Sequence, residues 1–151
     1  STLIEKVMGV SGNALFKARA INQVGGLLAG SINTGAHSAN GITATFIAMG
    51  QDVANVAESS AAVVYADLDD QGNYYFSITI PSLIVATFGG GTGLPTQKEC
   101  LGMIGCSGSG KVRKLAEIIG ATVLAGEVSL MSAVLAGDWV TSHDALGRNR
   151  N

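Results

Sequence analysis

The sequence of 151 residues predicts an α+β fold, mostly helical with one antiparallel β-hairpin. Apolar residues recur at helical spacing through most of the segment 111–146. Two runs rich in β-branched and aromatic residues, 61–68 and 74–85, flank the turn residues 70–73. The composition is 47% hydrophobic and 13% charged, which is too apolar for a disordered chain. A chain of this length forms one domain with a real core.

The first third of the chain predicts helices. Residues 3–28 have scattered apolar spacing, which predicts a helix broken at four glycines: Gly9, Gly12, Gly25 and Gly26. Residues 36–49 predict a buried helix that Gly50 ends in the C′ position. Asp52 then starts a short helix that runs to Glu58.

The hairpin and a second helical region follow. In the strand 74–85, alternation places four apolar residues on one face: Tyr74, Phe76, Ile78 and Ile80. Beyond a glycine-rich loop, residues 96–104 predict a helix with Thr96 as its N-cap and Glu99 as the capping-box partner. Residues 111–146 predict two or three consecutive helices.

Charge and cysteine content limit the possible functions. The net charge of −2 gives no electrostatic basis for binding nucleic acid. Cys100 and Cys106 have no second pair or nearby histidine with which to hold a metal, so we predict no metal site and reduced thiols. The low charged fraction leaves surplus apolar surface, which predicts contact with a second subunit or with another part of the same polypeptide.

Three long runs with few charges could pass for membrane spans: 26–51, 74–97 and 118–137. Each is interrupted by polar or helix-breaking residues, and Glu127 lies at the centre of the third, where a carboxylate would be costly in hydrocarbon. No basic segment with a cleavage site begins the chain. We therefore expect a cytoplasmic protein with no transmembrane segment in these residues, and we leave open an anchor outside them.

Several short motifs could carry chemistry, and each also has a structural interpretation. His37 and Asn40 share a helix face and could bind one polar ligand, or they could be a helix-start histidine and a satisfied buried asparagine. Asp52 could be only an N-cap. His143 could be a helix-end histidine favoured by the dipole. The run Gly89-Gly90-Gly91-Thr92 permits close backbone approach or simply forms a flexible turn.

The segment 105–111 has the glycine and lysine spacing of a phosphate-binding P-loop, and the run before it could form a strand. Val112, however, stands where a serine or threonine must hold magnesium. We keep the P-loop as a remote alternative to a glycine-rich turn between helices. No dinucleotide-binding glycine fingerprint occurs in the sequence.

In one order and at compatible spacings, these motifs resemble the C-terminal part of the catalytic domain of 3-hydroxy-3-methylglutaryl-coenzyme A (HMG-CoA) reductases. The resemblance rests on Gly35-Ala36-His37-Ser38-Ala39-Asn40, Gly50-Gln51-Asp52, Gly89-Gly90-Gly91-Thr92 and Ser142-His143. It covers about residues 21–150. It implies that residues 1–151 form the C-terminal portion of the family's large, substrate-binding domain, without the small cofactor-binding domain.

The resemblance implies reduction of HMG-CoA to mevalonate and coenzyme A with two NADPH, NADH not being excluded, by a homodimer or higher homo-oligomer. It implies that Asp52 and His143 are catalytic, His143 as the general acid for the departing thiolate. The substrate-binding residues it implies are Ala36, His37, Asn40, Leu130 and Val134. The cofactor-binding residues it implies are Gly50, Gln51, Gly89, Gly90, Gly91 and Thr92.

The sequence also departs from the family. The family's active site includes a glutamate and an Asp-Lys-Lys segment, both expected upstream of these residues. A family lysine that contacts the HMG carboxylate falls in the segment 21–25, which contains no lysine. Two interpretations therefore stay open: part of an HMG-CoA reductase that is inactive on its own, or a degenerate, non-catalytic homologue that serves as a binding or assembly module.

Overall fold

The computed structural model describes residues 2–147, and in them seven α-helices accompany one two-stranded antiparallel sheet, which confirms the α+β class. Of the predicted unit 1–151, Ser1 and residues 148–151 lie outside the described part. The helices and strands, in chain order, are α1 Thr2–Met8, α2 Gly12–Leu28, α3 Ser38–Ala48, α4 Val56–Ser59, β1 Val63–Leu68, β2 Tyr74–Thr79, α5 Pro95–Met103, α6 Val112–Ala136 and α7 Asp138–Ala145. Short 3₁₀ turns occur at Val53–Asn55 and Gly90–Gly93.

The N-terminal helical region breaks between Gly9 and Gly12, at two of the four predicted glycines. Gly9 adopts a φ of 69°, and Ser11 caps α2 by accepting a hydrogen bond from Ala14 N at 3.2 Å. The predicted interruption at Gly25 and Gly26 is wrong, because both lie inside α2. An interior glycine costs a helix only about 1 kcal/mol, so a helix of 17 residues can contain both.

The predicted end of α3 is confirmed. Gly50 follows the C-cap residue with a φ of 65°, in the left-handed conformation that glycine adopts without strain. The predicted start of the next short helix is also confirmed, because Asp52 Oδ1 accepts a hydrogen bond from Ala54 N at 3.0 Å. The helix α3 begins at Ser38, two residues later than predicted.

The hairpin is confirmed, with Val63 opposite Thr79 and Leu68 opposite Tyr74. Its second strand was predicted to reach residue 85, but it ends at Thr79. Beyond it, backbone N–H groups bond to side chains instead of a strand: Ile84 N donates to Ser59 Oγ at 3.1 Å, and Ala86 N donates to Gln51 Oε1 at 2.7 Å.

The helix α5 contradicts the predicted capping box. It begins at Pro95 and follows Leu94, whose side chain makes no capping hydrogen bond. Proline suits the first helical position because its φ is fixed and it has no N–H to satisfy. Because α5 is a helix, the P-loop-like segment 105–111 joins two helices and lacks the strand that a P-loop requires.

The long helix α6 organises the core. The helices α2, α3 and α7 pack against it. Seven residues, all fully buried, form the main hydrophobic cluster: Ile42, Phe46, Leu101, Cys106, Leu115, Ile119 and Val123. The length and composition of α6 alone would suit a membrane span. The buried side of this helix nevertheless packs against other helices, and it includes Glu127, which is fully buried.

Candidate functional site

Two of the predicted motifs meet at one cleft of about 770 Å³. We call it the Asp52 cleft. It is lined by Gly50, Gln51 and Asp52 on one side and by residues 89–92 on the other, with Phe46, Ile47 and Phe88 among its apolar walls. The sequence between the two motifs spans the short helix α4 and the whole hairpin, so their meeting is a tertiary result. All six predicted cofactor-binding residues and one predicted catalytic residue therefore lie together.

Glycine at two positions makes this meeting possible. A Cβ built on Gly50 would overlap the carbonyl group of Gly91, and a Cβ on Gly91 would lie 2.7 Å from Gly50 O. Neither overlap is tolerable for a larger residue. Gly89 and Gly90 also have positive φ, but their missing Cβ atoms would point into open space. Gly89 and Gly90 thus leave backbone without side chains exposed at the cleft.

The Gln51 side chain stabilises the backbone next to the cleft. Its Nε2 donates to Met49 O at 3.0 Å and to Ala86 O at 2.9 Å, while its Oε1 accepts from Ala86 N. The side chain is buried. All these bonds are internal, so they show Gln51 as a support for the segment leading to residues 89–92.

Asp52 is an exposed residue at the edge of the cleft. Its Oδ1 is the helix cap described above, and the N-cap geometry leaves the carboxylate at the surface. A carboxylate in this position can accept further hydrogen bonds from a ligand or from a partner. The cap role and a chemical role are compatible.

A second group of predicted residues lies where α3 meets α6. Ala36 and Asn40 are exposed, whereas the His37 imidazole enters between the two helices. We call this region the α3–α6 junction and define it as His37, Gly41, Gly126, Glu127 and Arg19. Residue numbers 40, 44 and 47 share the exposed side of α3, and this side leads from Asn40 to the wall of the Asp52 cleft. The helical rise from residue 40 to 47 is about 10 Å.

The centre of the junction is a buried ion pair. Arg19 Nη2 lies 3.2 Å from Glu127 Oε2, and both side chains are almost inaccessible to solvent, at 2% and 0%. The Glu127 carboxylate also accepts three backbone hydrogen bonds, from Ala36 N at 2.9 Å, His37 N at 2.6 Å and Ser38 N at 2.9 Å. The negative charge therefore sits at the N-terminus of α3, where the helix dipole favours it.

Sequence reasoning missed this pair as functional support. It used Glu127 only as an argument against a membrane span, and it gave Arg19 no role. The available signal was a lone carboxylate in the otherwise uncharged run 118–137, since such a group needs a buried partner. Beside the pair, the Arg19 guanidinium lies 5.1 Å from the centre of the Phe76 ring. The pKa of the neighbouring Tyr74 phenol is raised, because the effect of burial exceeds the opposing effect of the Arg19 charge.

The remaining predicted residues lie toward the C-terminal end of α6. Leu130 and Val134 follow Gly126 at intervals of four residues, so they lie along one side of the helix. His143 lies on α7, which packs against α6. Its Nδ1 is 2.5 Å from Trp139 O, and its ring lies 4.0 Å from the Trp139 ring centre. His143 does not line the Asp52 cleft.

The comparisons with known proteins agree on one family. The family model described as hydroxymethylglutaryl-coenzyme A reductase matches residues 1–148. The chain is 43% identical over 146 residues to 3-hydroxy-3-methylglutaryl-coenzyme A reductase from Methanocaldococcus jannaschii, covering 96% of the chain and 36% of that relative. It is 44% identical to the reductase from Methanothermobacter thermautotrophicus, covering 97% and 37%, and 41% identical to reductase 2 from Arabidopsis thaliana, covering 97% and 27%. The chain therefore spans about a third of the length of these relatives.

Proposed function

The chain belongs to the hydroxymethylglutaryl-coenzyme A reductase family, and we propose that its protein reduces HMG-CoA to mevalonate and coenzyme A with two NADPH. The observation that carries the proposal is the meeting of Gly50-Gln51-Asp52 with residues 89–92 at one cleft. Neither motif is specific alone. Their close backbone contact at Gly50 and Gly91 supports one shared site.

The Asp52 cleft suits a nicotinamide cofactor. Gly89 and Gly90 leave backbone exposed without side chains, and Phe88 and Ile47 supply apolar surface beside it. A flat heteroaromatic ring can approach such a surface closely. The cofactor supplies hydride for each reduction. We assign its contacts to Gly50, Gln51 and residues 89–92, and we assign NADPH rather than NADH by family resemblance.

Asp52 and His143 are the proposed catalytic residues of this chain. Asp52 takes part in a hydrogen-bond network that polarises the reacting carbonyl in both reductions. His143 protonates the coenzyme A thiolate when it departs from the hemithioacetal that the first reduction forms. With Nδ1 on the Trp139 carbonyl, this proton transfer falls to Nε2. We propose that Ala36, His37, Asn40, Leu130 and Val134 contact the substrate.

An apolar surface on α2 supports association with other protein. Ile21, Val24 and Leu28 lie on one side of the helix and are 74%, 59% and 84% exposed. Surface of this kind is typical of an interface. We propose that this surface on α2 contacts a second copy in a homo-oligomer or another part of the same polypeptide. We also propose that the protein is cytoplasmic, with α6 as a core helix. In sedimentation velocity, Val24→Asp should reduce self-association, while Thr122→Asp on an exposed part of α6 should not.

Ile21 also favours a second candidate, a non-catalytic homologue that serves as an assembly module. This exposed apolar residue begins the segment where the family has a lysine that contacts the HMG carboxylate. A mevalonate assay on the protein expressed from its natural coding sequence separates the two candidates. We expect turnover there and none from residues 1–151 alone, since the family's Asp-Lys-Lys segment is not in this sequence.

The role of His143 gives the sharpest test of the mechanism. His143→Gln should slow reduction of HMG-CoA, in which a thiolate leaves, by about 10²–10⁴-fold. It should leave reduction of free mevaldehyde nearly unchanged, because no leaving group needs a proton. Asp52→Asn is the matched control and should slow both reductions. Equal losses in the two reactions for His143→Gln would mean that the histidine only positions substrate.

A further inference from the structure

The His37 side chain is seated directly on the backbone of α6. A Cβ built on Gly126 would overlap the imidazole ring, and a Cβ on Gly41 would lie 2.7 Å from His37 Cε1 and 3.0 Å from Nδ1. Glycine inside a helix is unfavourable by about 1 kcal/mol relative to alanine, and α6 has glycine here in its interior. The missing side chain at Gly126 is what leaves room for the ring.

The next residue of α6 holds the backbone that carries this ring. Glu127 Oε1 accepts from His37 N at 2.6 Å and from Ser38 N at 2.9 Å, and Oε2 accepts from Ala36 N at 2.9 Å. Arg19 fixes the carboxylate from the other side. Two consecutive residues of α6 therefore hold His37 in place: Gly126 contacts the imidazole ring, and Glu127 binds the backbone N–H.

The packing of the His37 ring against Gly126 also determines which ring nitrogen can contact a ligand. Nδ1 is buried and has no hydrogen-bond partner within residues 2–147. A proton on Nδ1 would be a buried donor without an acceptor, which costs free energy, so we place the proton on Nε2. Nε2 lies on the ring edge away from Nδ1, and the residue as a whole is half-buried, so this is the nitrogen it can offer.

We propose that Gly126 and Glu127 are positioning residues that hold His37 in the Nε2–H tautomer, with Nε2–H as a hydrogen-bond donor to a substrate oxygen. The proposal rests on the proposed substrate-binding role of His37. The ligand group is an oxygen that accepts a hydrogen bond, because only an acceptor can pair with this N–H. Asn40, one turn further along α3, adds an exposed amide at the same place.

The tautomer is read directly by long-range nitrogen–proton NMR of the protein labelled with nitrogen-15 histidine. The chain has two histidines, so the His143→Gln variant assigns the signals. We expect the Nε2–H pattern for His37 in the unmodified sequence. We expect Gly126→Ala to move the His37 signals toward a mixture of tautomers, and Gly120→Ala, whose Cβ meets open space on the same helix, to leave them unchanged. An Nδ1–H pattern in the unmodified sequence would overturn the proposal.

Kinetics on the protein from its natural coding sequence complete the test. Gly126→Ala should raise KM for HMG-CoA about 10-fold with little change in kcat, the value of one hydrogen bond. The same change made in a His37→Ala background should have no further effect, because both act through one contact. Glu127→Gln retains a hydrogen-bond acceptor and should give a smaller rise in KM than Gly126→Ala.

The outcomes separate the two levels of inference. If Gly126→Ala lowers activity equally in the presence and absence of the His37 side chain, Gly126 supports only the fold and the positioning proposal is wrong. If His37→Ala leaves KM for HMG-CoA unchanged, the substrate-binding role in the proposed function fails instead. The NMR pattern still decides whether α6 fixes the tautomer.

Discussion

The Asp52 cleft and the α3–α6 junction hold predicted functional residues by opposite means. The cleft is built from backbone: two glycines in contact, a buried amide on main-chain groups and a carboxylate at the surface. The junction is built from charge: a carboxylate and a guanidinium withdrawn from water and satisfied by each other and by backbone N–H groups. A site can therefore be shaped by removing side chains or by burying them, and mutation costs a different amount of stability in the two cases.

The largest expected effect is at the junction. Glu127→Ala leaves the Arg19 charge buried without its partner and three backbone N–H groups of 36–38 without their acceptor. Breaking a buried pair from one side costs about 3–5 kcal/mol. Urea unfolding should show that loss, and Glu117→Ala, an exposed residue of the same helix, should change stability by less than about 0.5 kcal/mol. Equal values for the two variants would contradict the ion-pair account.

The cleft should be next, through its backbone contact. Gly50→Ala combines a left-handed φ of 65° with an overlap on Gly91, so we expect a loss of about 3 kcal/mol. Gly90→Ala has a φ of 53° but meets open space, so only the backbone strain of about 1–2 kcal/mol remains. Thermal or urea unfolding of the pair isolates the contact. If the two losses match, the approach of Gly50 to Gly91 contributes nothing.

Asp52 should separate chemistry from stability. Asparagine caps a helix about as well as aspartate, so Asp52→Asn should change the free energy of unfolding by less than about 0.5 kcal/mol. In the protein from the natural coding sequence, it should lower kcat for mevalonate formation by about 10²-fold, the scale of one lost electrostatic contribution to the transition state. A stability loss as large as the activity loss would show that Asp52 is only a cap.

The smallest expected effect is a dependence of stability on alkaline pH that arises from Tyr74, which lies beside Arg19. Burial raises the pKa of Tyr74 above its ordinary 10.0. The unfolded chain therefore loses this proton first as pH rises, so stability is complete below about pH 10 and falls as pH passes through the folded-state pKa. Tyr74→Phe should remove that fall in urea unfolding across alkaline pH. Identical profiles for both proteins would mean that Tyr74 is solvated.

The sequence was sufficient where structure is set by near neighbours. Gly50 ends α3 and Asp52 caps the following turn because both act on residues within one helical turn, and the hairpin follows from its own strands and turn. It was insufficient where distant partners decide. The second strand was predicted to reach residue 85, but Ile84 N donates to Ser59 Oγ and Ala86 N donates to Gln51 Oε1, and neither acceptor belongs to a strand. Proline displaced the predicted cap of α5.

The site shows the same division. The motifs identified which residues would gather at the Asp52 cleft, although their contact depends on folding of the whole segment between them. The sequence could indicate that Glu127 needs a buried partner but not which one, because its partners lie 89 to 108 residues earlier in the chain. No periodicity or spacing rule links a carboxylate in one helix to backbone N–H groups that precede another.

That separation has a consequence for biosynthesis. The chain emerges from the ribosome N-terminus first, so α3 and the His37 backbone are made about 90 residues before the carboxylate that binds them. Until α6 arrives, the N–H groups of 36–38 can bond only to water, and the positive end of α3 has no buried counter-charge. Contacts so distant in sequence form slowly, because a long loop must close first. Translation must therefore pass residue 127 before the junction can close, and truncated chains that end before it should remain sensitive to protease at residues 36–38.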